Sequence, residues 1–325
     1  MMLNPRNQLV IVTLAVLAVC GGVGGCARGG DGPPRADGHS AAWAVRDASP
    51  TLSGAPSNQP RRASFFHDGN AFDAVIDRPA SGNSNGWGVL MIGGGLGNDL
   101  DWTTPGTVNV NGKAVAMTIS GAAHADAPLL ARALCERGFA VMRWSTIARG
   151  DPLAAEWPAR STPRTLAELT AQARAALGTM RRAGEIEADR VILLGHSLGA
   201  ARACTIAAED VGVKGLILLS PAYFARSTPA PASFRNAGLA IGEDVLRTTP
   251  LRCLALFGAL DESRAVNAAA ALALVDTPGF ERFEAETLAG LGHQLGPQQG
   301  NLVGPIDQSV LDQVAAFAGA VARQP

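Results

Sequence analysis

From about residue 62 to its carboxyl end, the chain alternates short apolar runs with longer segments of helical periodicity, and this alternation constrains the fold more than any other feature. "FDAVIDRP" reads as a half-buried strand, and "WGVLMIGGG" as a buried strand running into glycines. "ADAPLLARALCERG" reads as a helix closed by Arg137 and Gly138, followed by the strand "FAVMRW". "STPRTLAELTAQARAALGTMRRAG" has a serine cap, Pro163 near the first turn and Gly184 at the finish of a helix. The strand "RVILLG", a helix from Leu198 and the strand "VKGLILLSPA" continue the rhythm. "LRCLALFGALD" and "ERFEAETLA" read as strands on either side of the helix "SRAVNAAAALALV", and "PIDQSVLDQVAAFAGAVAR" closes the chain as a helix. The pattern predicts an α/β fold, with a mostly parallel sheet, helices on both faces and right-handed crossovers.

One segment interrupts the rhythm. "TVNVNGKAVAMTI", around residues 108–119, holds Asn111-Gly112 between two β-rich runs, a hairpin signal. It is either an excursion beside a pocket or an ornament at the edge. With 47% hydrophobic and 17% charged residues, the 325-residue chain can bury a sizeable core. A formal net charge of −1, with no Lys/Arg run longer than two, gives no electrostatic footprint for nucleic acid.

The amino terminus reads differently. "LVIVTLAVLAV" is an apolar stretch placed as a signal h-region and short for a bilayer span. It is followed by "VGGC", Val23 to Cys26, which resembles the lipobox of bacterial lipoprotein signals. That resemblance implies a signal over 1–26 and lipidation of Cys26, whereas Val19 makes Cys20 a poorer fit. The expectation is an exported, membrane-anchored lipoprotein on the periplasmic or cell-surface side. Residues 27–61, rich in Gly, Pro, Ser and Ala, read as a flexible tether, leaving 62–325 as the folded domain. Cys135, Cys204 and Cys253 sit among apolar or helix-forming neighbours and read as buried free thiols. Without C-x-x-C or clustered Cys/His spacing, no structural zinc site is expected.

In open α/β sheets, ligands sit beyond the carboxyl ends of the strands. The residues found there are Gly93–Gly97, Ser197, Asp261 and a loop carrying His293. Ser197 lies in "VILLGHSLGAARA", with Gly195 and Gly199 around it, a strand–turn–helix that pushes a hydroxyl out above the sheet. A serine hydroxyl is a weak nucleophile until a base takes its proton. Of the five histidines, His39 lies in the tether and His196 adjoins the serine. His67 precedes the first clear strand and His124 opens a helix. That leaves His293, in "AGLGHQLGP", as the base. Asp261, just beyond a strand, is the candidate acid, with Glu262 as its neighbouring alternative.

The chain order serine–acid–histidine resembles that of the α/β-hydrolases, over about residue 62 to the end. Within them, "IGGGLGNDLDW" is similar to the esterase, dienelactone hydrolase and oligopeptidase-like branch. There a His-Gly-x-Gly-Pro loop precedes an Asn-Asp-x-Asp run, which Asn98, Asp99 and Asp101 match; Gly93 stands where that branch often has histidine. The resemblance implies an oxyanion hole from the amides of Leu198 and Gly95, with Gly94 as an alternative. It also implies that Asp99 and Asp101 order the loop rather than hold a metal, that Arg149 is structural, and that Ser145 replaces an acidic residue. Tyr223 either lines the pocket or is simply buried.

These residues together imply a cofactor-free serine hydrolase cleaving small or medium carboxylic esters through an acyl-enzyme. About 28 residues between Ala222 and Leu251 leave room for a short lid and no large cap domain. The same triad would serve a peptidase, an amidase or an acyltransferase. A surface-anchored, inactive relative serving as a binding module is the alternative from another class.

Overall fold

The computed structural model describes residues 60–95, 98–110, 113–151, 165–228 and 230–324. The leader, Cys26 and all of the expected tether but its last two residues lie outside them. Eight strands form the main sheet: β1 (Arg61–His67), β2 (Asn70–Asp77), β3 (Gly88–Ile92), β4 (Ala140–Ala148), β5 (Val191–His196), β6 (Val213–Leu219), β7 (Arg252–Gly258) and β8 (Phe283–Leu288). Their order is β1-β2-β4-β3-β5-β6-β7-β8. Only β2 runs against its neighbours; the pairings from β4 through β8 are parallel. β3 and β5 are buried along their whole length, as interior strands covered on both faces must be.

Among the described residues seven α-helices accompany the sheet: α1 (Asp126–Cys135), α2 (Leu166–Arg182), α3 (Leu198–Glu209), α4 (Ala232–Asn236), α5 (Gly242–Thr248), α6 (Ala265–Val275) and α7 (Gln308–Ala322). Leu130 and Leu134 of α1 pack with Val310, Val314 and Phe317 of α7 on one face of the sheet. Ala173, Ala176 and Leu177 of α2 pack with Ala203, Cys204 and Ile206 of α3 on the other. Among the described residues no helix is long and apolar enough to cross a membrane.

Two details differ from the sequence expectation. The sheet begins at Arg61, inside the expected tether, because Phe65 of β1 tucks against Phe72 of β2 and Trp144 of β4, with ring centroids 5.3 and 5.5 Å away. Each such pair contributes about 0.5–1.5 kcal/mol beyond its buried area, enough to hold an edge strand with little other apolar content. The cap of α2 is Thr165, not the expected serine: its hydroxyl accepts from Glu168 N, and the Glu168 carboxylate accepts from Thr165 N at 2.6 Å. The stretch before β7 agrees with expectation: it forms α4 and α5, two short helices, and no large cap domain.

The expected hairpin is present as an antiparallel pair, Thr107–Val110 with Lys113–Ala116; its turn at 111–112 lies outside the described residues. Beyond it, Ile119 N donates to Val303 O and Val303 N to Met117 O, which ties its base to the segment after His293. Cys135, Cys204 and Cys253 are free, and burial pushes the Cys204 thiol up to about 12.

Candidate active site

β5 ends at His196 and α3 starts at Leu198, so Ser197 alone must reverse the chain. It does so with φ +54° and ψ −118°, a left-handed region that a non-glycine residue occupies only when its surroundings enforce it. The enforcement is visible. Ser197 N donates to Leu219 O at 2.8 Å, and Ser197 O accepts from Ala222 N at 3.2 Å. A Cβ on Gly195 would lie 2.6 Å from both Ala200 Cα and Gly199 O; one on Gly199 would strike the carbonyls of Ile92 and Gly93. Both glycines are therefore demanded by backbone packed against backbone. Leu198, first residue of α3, keeps one of the helix-start amides that no intrahelical carbonyl can satisfy.

The glycine loop after β3 abuts this elbow. A Cβ on Gly94 would sit 2.8 Å from Ser197 Cβ and 2.9 Å from His196 Nδ1. Gly95 follows with φ +64°; Leu96 and Gly97 lie outside the described residues. Asn98 secures the loop from one end. Its side-chain amide donates to Gly94 O, while Asn98 N and O bond the hydroxyl and amide of Thr146 on β4. Asp99 accepts from the amides of Asp101 and Thr103, and Asp101 pairs with Arg143, which also holds Asp77 at 2.6 Å. Both carboxylates thus order the loop from within the protein. Arg149 pairs with Asp73 on β2, and Ser145 bonds Asn98 O at 3.3 Å.

Arg202, which sequence reasoning missed, secures the loop from below. It lies one turn beyond the elbow on α3, has no exposed surface, and donates through Nη2 to Gly93 O and to Gly95 O. Among the described residues it has no carboxylate partner, and burial lowers its guanidinium to about 10, so it remains a cation at neutral pH. The sequence offered only an arginine among the alanines of a helix that follows a buried strand; its burial, which makes such a charge costly unless something holds it, came from the structure.

On the other side of Ser197, His293 Nδ1 lies 2.5 Å from Asp261 Oδ2. Asp261 is buried, and its second oxygen accepts from Ser263 Oγ at 2.6 Å. Burial works against its ionisation, but the bonds from His293 and Ser263, with the nearby charge of Arg264, outweigh it and hold the carboxyl below its usual range. Glu262, the alternative acid, is exposed in a 3₁₀ turn and makes no such contact. His196 is buried and donates from Nε2 to His293 O at 3.1 Å, its ring 5.0 Å from that of His293. Desolvation, with the neighbouring His293, drives it down to about 3, so it is neutral and positions the His293 backbone. The Ser197 hydroxyl accepts from Arg264 Nη2 at 3.3 Å and makes no hydrogen bond to His293 in this structure.

The other expected residues fall elsewhere. His124 Nδ1 lies 3.2 Å from Asp126, which also accepts from Ile306 N, and neither residue bonds Ser197. Tyr223 has φ +55° and packs edgewise on Phe234 of α4. Among the described residues no three His, Cys, Asp or Glu side chains converge as metal donors.

A serine at a left-handed elbow, on the fifth strand of a sheet ordered 1-2-4-3-5-6-7-8, belongs to the α/β-hydrolase fold. The sequence profile described as serine aminopeptidase, S33 matches residues 122–295, and the chain belongs to that family of hydrolases. Solved structures agree on the fold. Est1E from Butyrivibrio proteoclasticus is similar at 16% identity over 81% of this chain and 99% of that one, with a TM-score of 0.55. Thermogutta terrifontis esterase 2, phosphoramylated by tabun, is similar at 13% identity over 82% and 96%, TM-score 0.53. TT1662 from Thermus thermophilus is similar at 16% identity over 82% and 100%, TM-score 0.52. No curated protein sequence matches the chain.

Proposed function

We propose that the protein is a serine carboxylesterase in which Ser197, His293 and Asp261 act as a triad. The observation that carries this reading is the 2.5 Å contact between His293 Nδ1 and Asp261, beside a serine held at φ +54°. With Asp261 ionised and accepting at Nδ1, the imidazole keeps its free Nε2 as the base. The reaction requires the Ser197 hydroxyl to leave Arg264 and donate to that nitrogen. Ser197 Oγ then bonds the ester carbonyl carbon as His293 takes the proton, and the oxyanion falls to the amides of Leu198 and Gly95, with Gly94 the alternative. The C–O bond to the alcohol breaks and His293 returns the proton to the departing oxygen. Water, deprotonated by His293, attacks the acyl-enzyme, releases the acid and restores Ser197. No cofactor enters these steps. The short lid of α4 and α5 suits small or medium esters. Amide cleavage by the same steps is the second reading, favoured by the name of the family. Lipidation at Cys26 would hold the enzyme at a membrane after export, with residues 27–60 as spacer; two or more acyl chains make such attachment firm.

The test is a fluorophosphonate probe with the adduct mapped by mass spectrometry, beside turnover of short nitrophenyl esters and of an aminoacyl nitroanilide. Stoichiometric labelling at Ser197, lost in Ser197→Ala and His293→Ala, is the expected result. A folded chain that neither labels nor turns over either substrate would sink the hydrolase reading and leave a binding module.

A further inference from the structure

Arg264 takes no part in the proposed hydrolytic steps, yet it is the side chain in contact with the Ser197 hydroxyl. Its other bond is to the adjacent Ser263 O at 3.3 Å, and its Nε is buried with no partner. Among the described residues it has no carboxylate within ion-pair distance, although it is only partly exposed. Asp261, whose carboxyl feels the charge of Arg264, already has one oxygen on His293 and the other on Ser263.

The position is built rather than casual. Arg264 N donates to Asp261 O at 3.0 Å in a 3₁₀ turn that runs straight into α6. One turn on, Asn267 is 3% exposed; it accepts from Phe224 N at 2.9 Å and donates to Pro221 O. The helix that presents the guanidinium is thereby fastened to the segment after β6.

Nη2 and Nε form one edge of the guanidinium, the fork that grips a carboxylate with two parallel bonds. Ser197 Oγ is a poor permanent partner for that edge. Once acylated it becomes an ester oxygen, a weak acceptor, and a partly buried cation would be left with nothing opposite it. In the proposed steps the oxyanion is taken by the amides of Leu198, at the start of α3, and Gly95, on the loop after β3, which leaves the guanidinium edge without it. The acceptor must arrive with the substrate.

Resting on the esterase reading, we infer that Arg264 is a specificity residue that binds a second, ionised acid group held a few atoms from the scissile carbonyl. The substrates are then anionic esters, such as monoesters of dicarboxylic acids or acyl esters of hydroxy acids.

Two matched pairs test this with the full chain in a pH-stat. Monomethyl glutarate against methyl valerate places the charge on the acyl side; acetoxyacetate against acetoxyacetamide places it on the alcohol side. The expected result is a kcat/KM at least about tenfold higher for the anion in one pair, falling as salt is raised. Arg264→Gln should collapse that ratio at least about tenfold, and Arg264→Lys should retain part of it. The pair that responds identifies the side of the substrate that carries the charge. Labelling at Ser197 by a neutral fluorophosphonate, without anion preference in either pair, overturns this inference alone. So does an Arg264→Gln variant that loses anionic and neutral turnover equally. Absence of labelling overturns the esterase reading, and this inference with it.

Discussion

Two flanks meet at Ser197, and they are built differently. On the β3 side, the glycine loop is held by groups that substrate would never touch: Asn98 on Gly94 O, and Arg202 on Gly93 O and Gly95 O. On the β7 side, the groups are ones that would react or bind, namely Asp261, His293 and Arg264, and His293 keeps 31% of its side chain exposed. Backbone amides can be aimed only by fixing the chain, so the first flank is tied down by side chains, one of them the fully buried Arg202. Proton carriers must reach a changing ligand, so the second faces the opening. The difference teaches that a positive charge can serve either purpose, and that burial decides which.

The largest effect should come from the second flank. Asp261→Asn keeps the contact with His293 but favours the wrong tautomer, and kcat for ester hydrolysis should fall about 10⁴-fold with the fold intact by circular dichroism. Retention of activity would move the acid role elsewhere.

His196 sharpens the contrast through stability. Its imidazole is depressed from 6.5 to about 3 when folded, so the unfolded chain takes up a proton that the folded one refuses. The stability contribution is therefore full above about pH 6.5 and lost as pH falls toward 3, up to about 5 kcal/mol. Denaturant melts across that range should show the slope in the wild type and a shallower one in His196→Gln. Equal slopes would show that His196 titrates freely.

Arg202→Met asks whether the first flank is rigid for function or for folding. Loosening the oxyanion loop should lower kcat about 10²-fold while KM stays within about threefold. The melting temperature should change little, because leaving Gly93 O without its donor offsets the gain from removing a buried charge. A fall in stability with unchanged kcat would make Arg202 a folding residue and break the comparison. The smallest effect belongs to the hairpin, whose strand Lys113–Ala116 is exposed throughout. Replacing 107–116 by a short Gly-Ser turn should change kcat/KM by less than about threefold. A larger loss would place it at the pocket.

Much of this was legible in the linear chain. The strand–helix rhythm pointed to the parallel sheet because interior strands must be apolar along their length, as in "VILLGH" and "GVLMI". The elbow was legible because Gly195 and Gly199 answer a local steric demand at Ser197. The positions of Asp261 and His293 were legible because they follow β7 and β8, at the same carboxyl edge of the parallel sheet as Ser197. β1 was not, since "RRASFFH" buries little but Phe65 and owes its place to Trp144 far along the chain. The cap of α2 was misread because Thr165 and Ser161 offer the same hydroxyl, and only Glu168 chooses between them.

The sequence by itself determined the sheet, the turn at Ser197 and the order in which serine, acid and histidine occur, because each depends on neighbours within a few residues or on position after a strand. Only the tertiary structure decided what the arginines and His196 do. Arg202 meets Gly93 across 109 residues, His196 meets the His293 carbonyl across 97, and Arg264 meets Ser197 across 67. The reach and direction of a long side chain are set by the packing of the helices that carry it, and no local pattern encodes that.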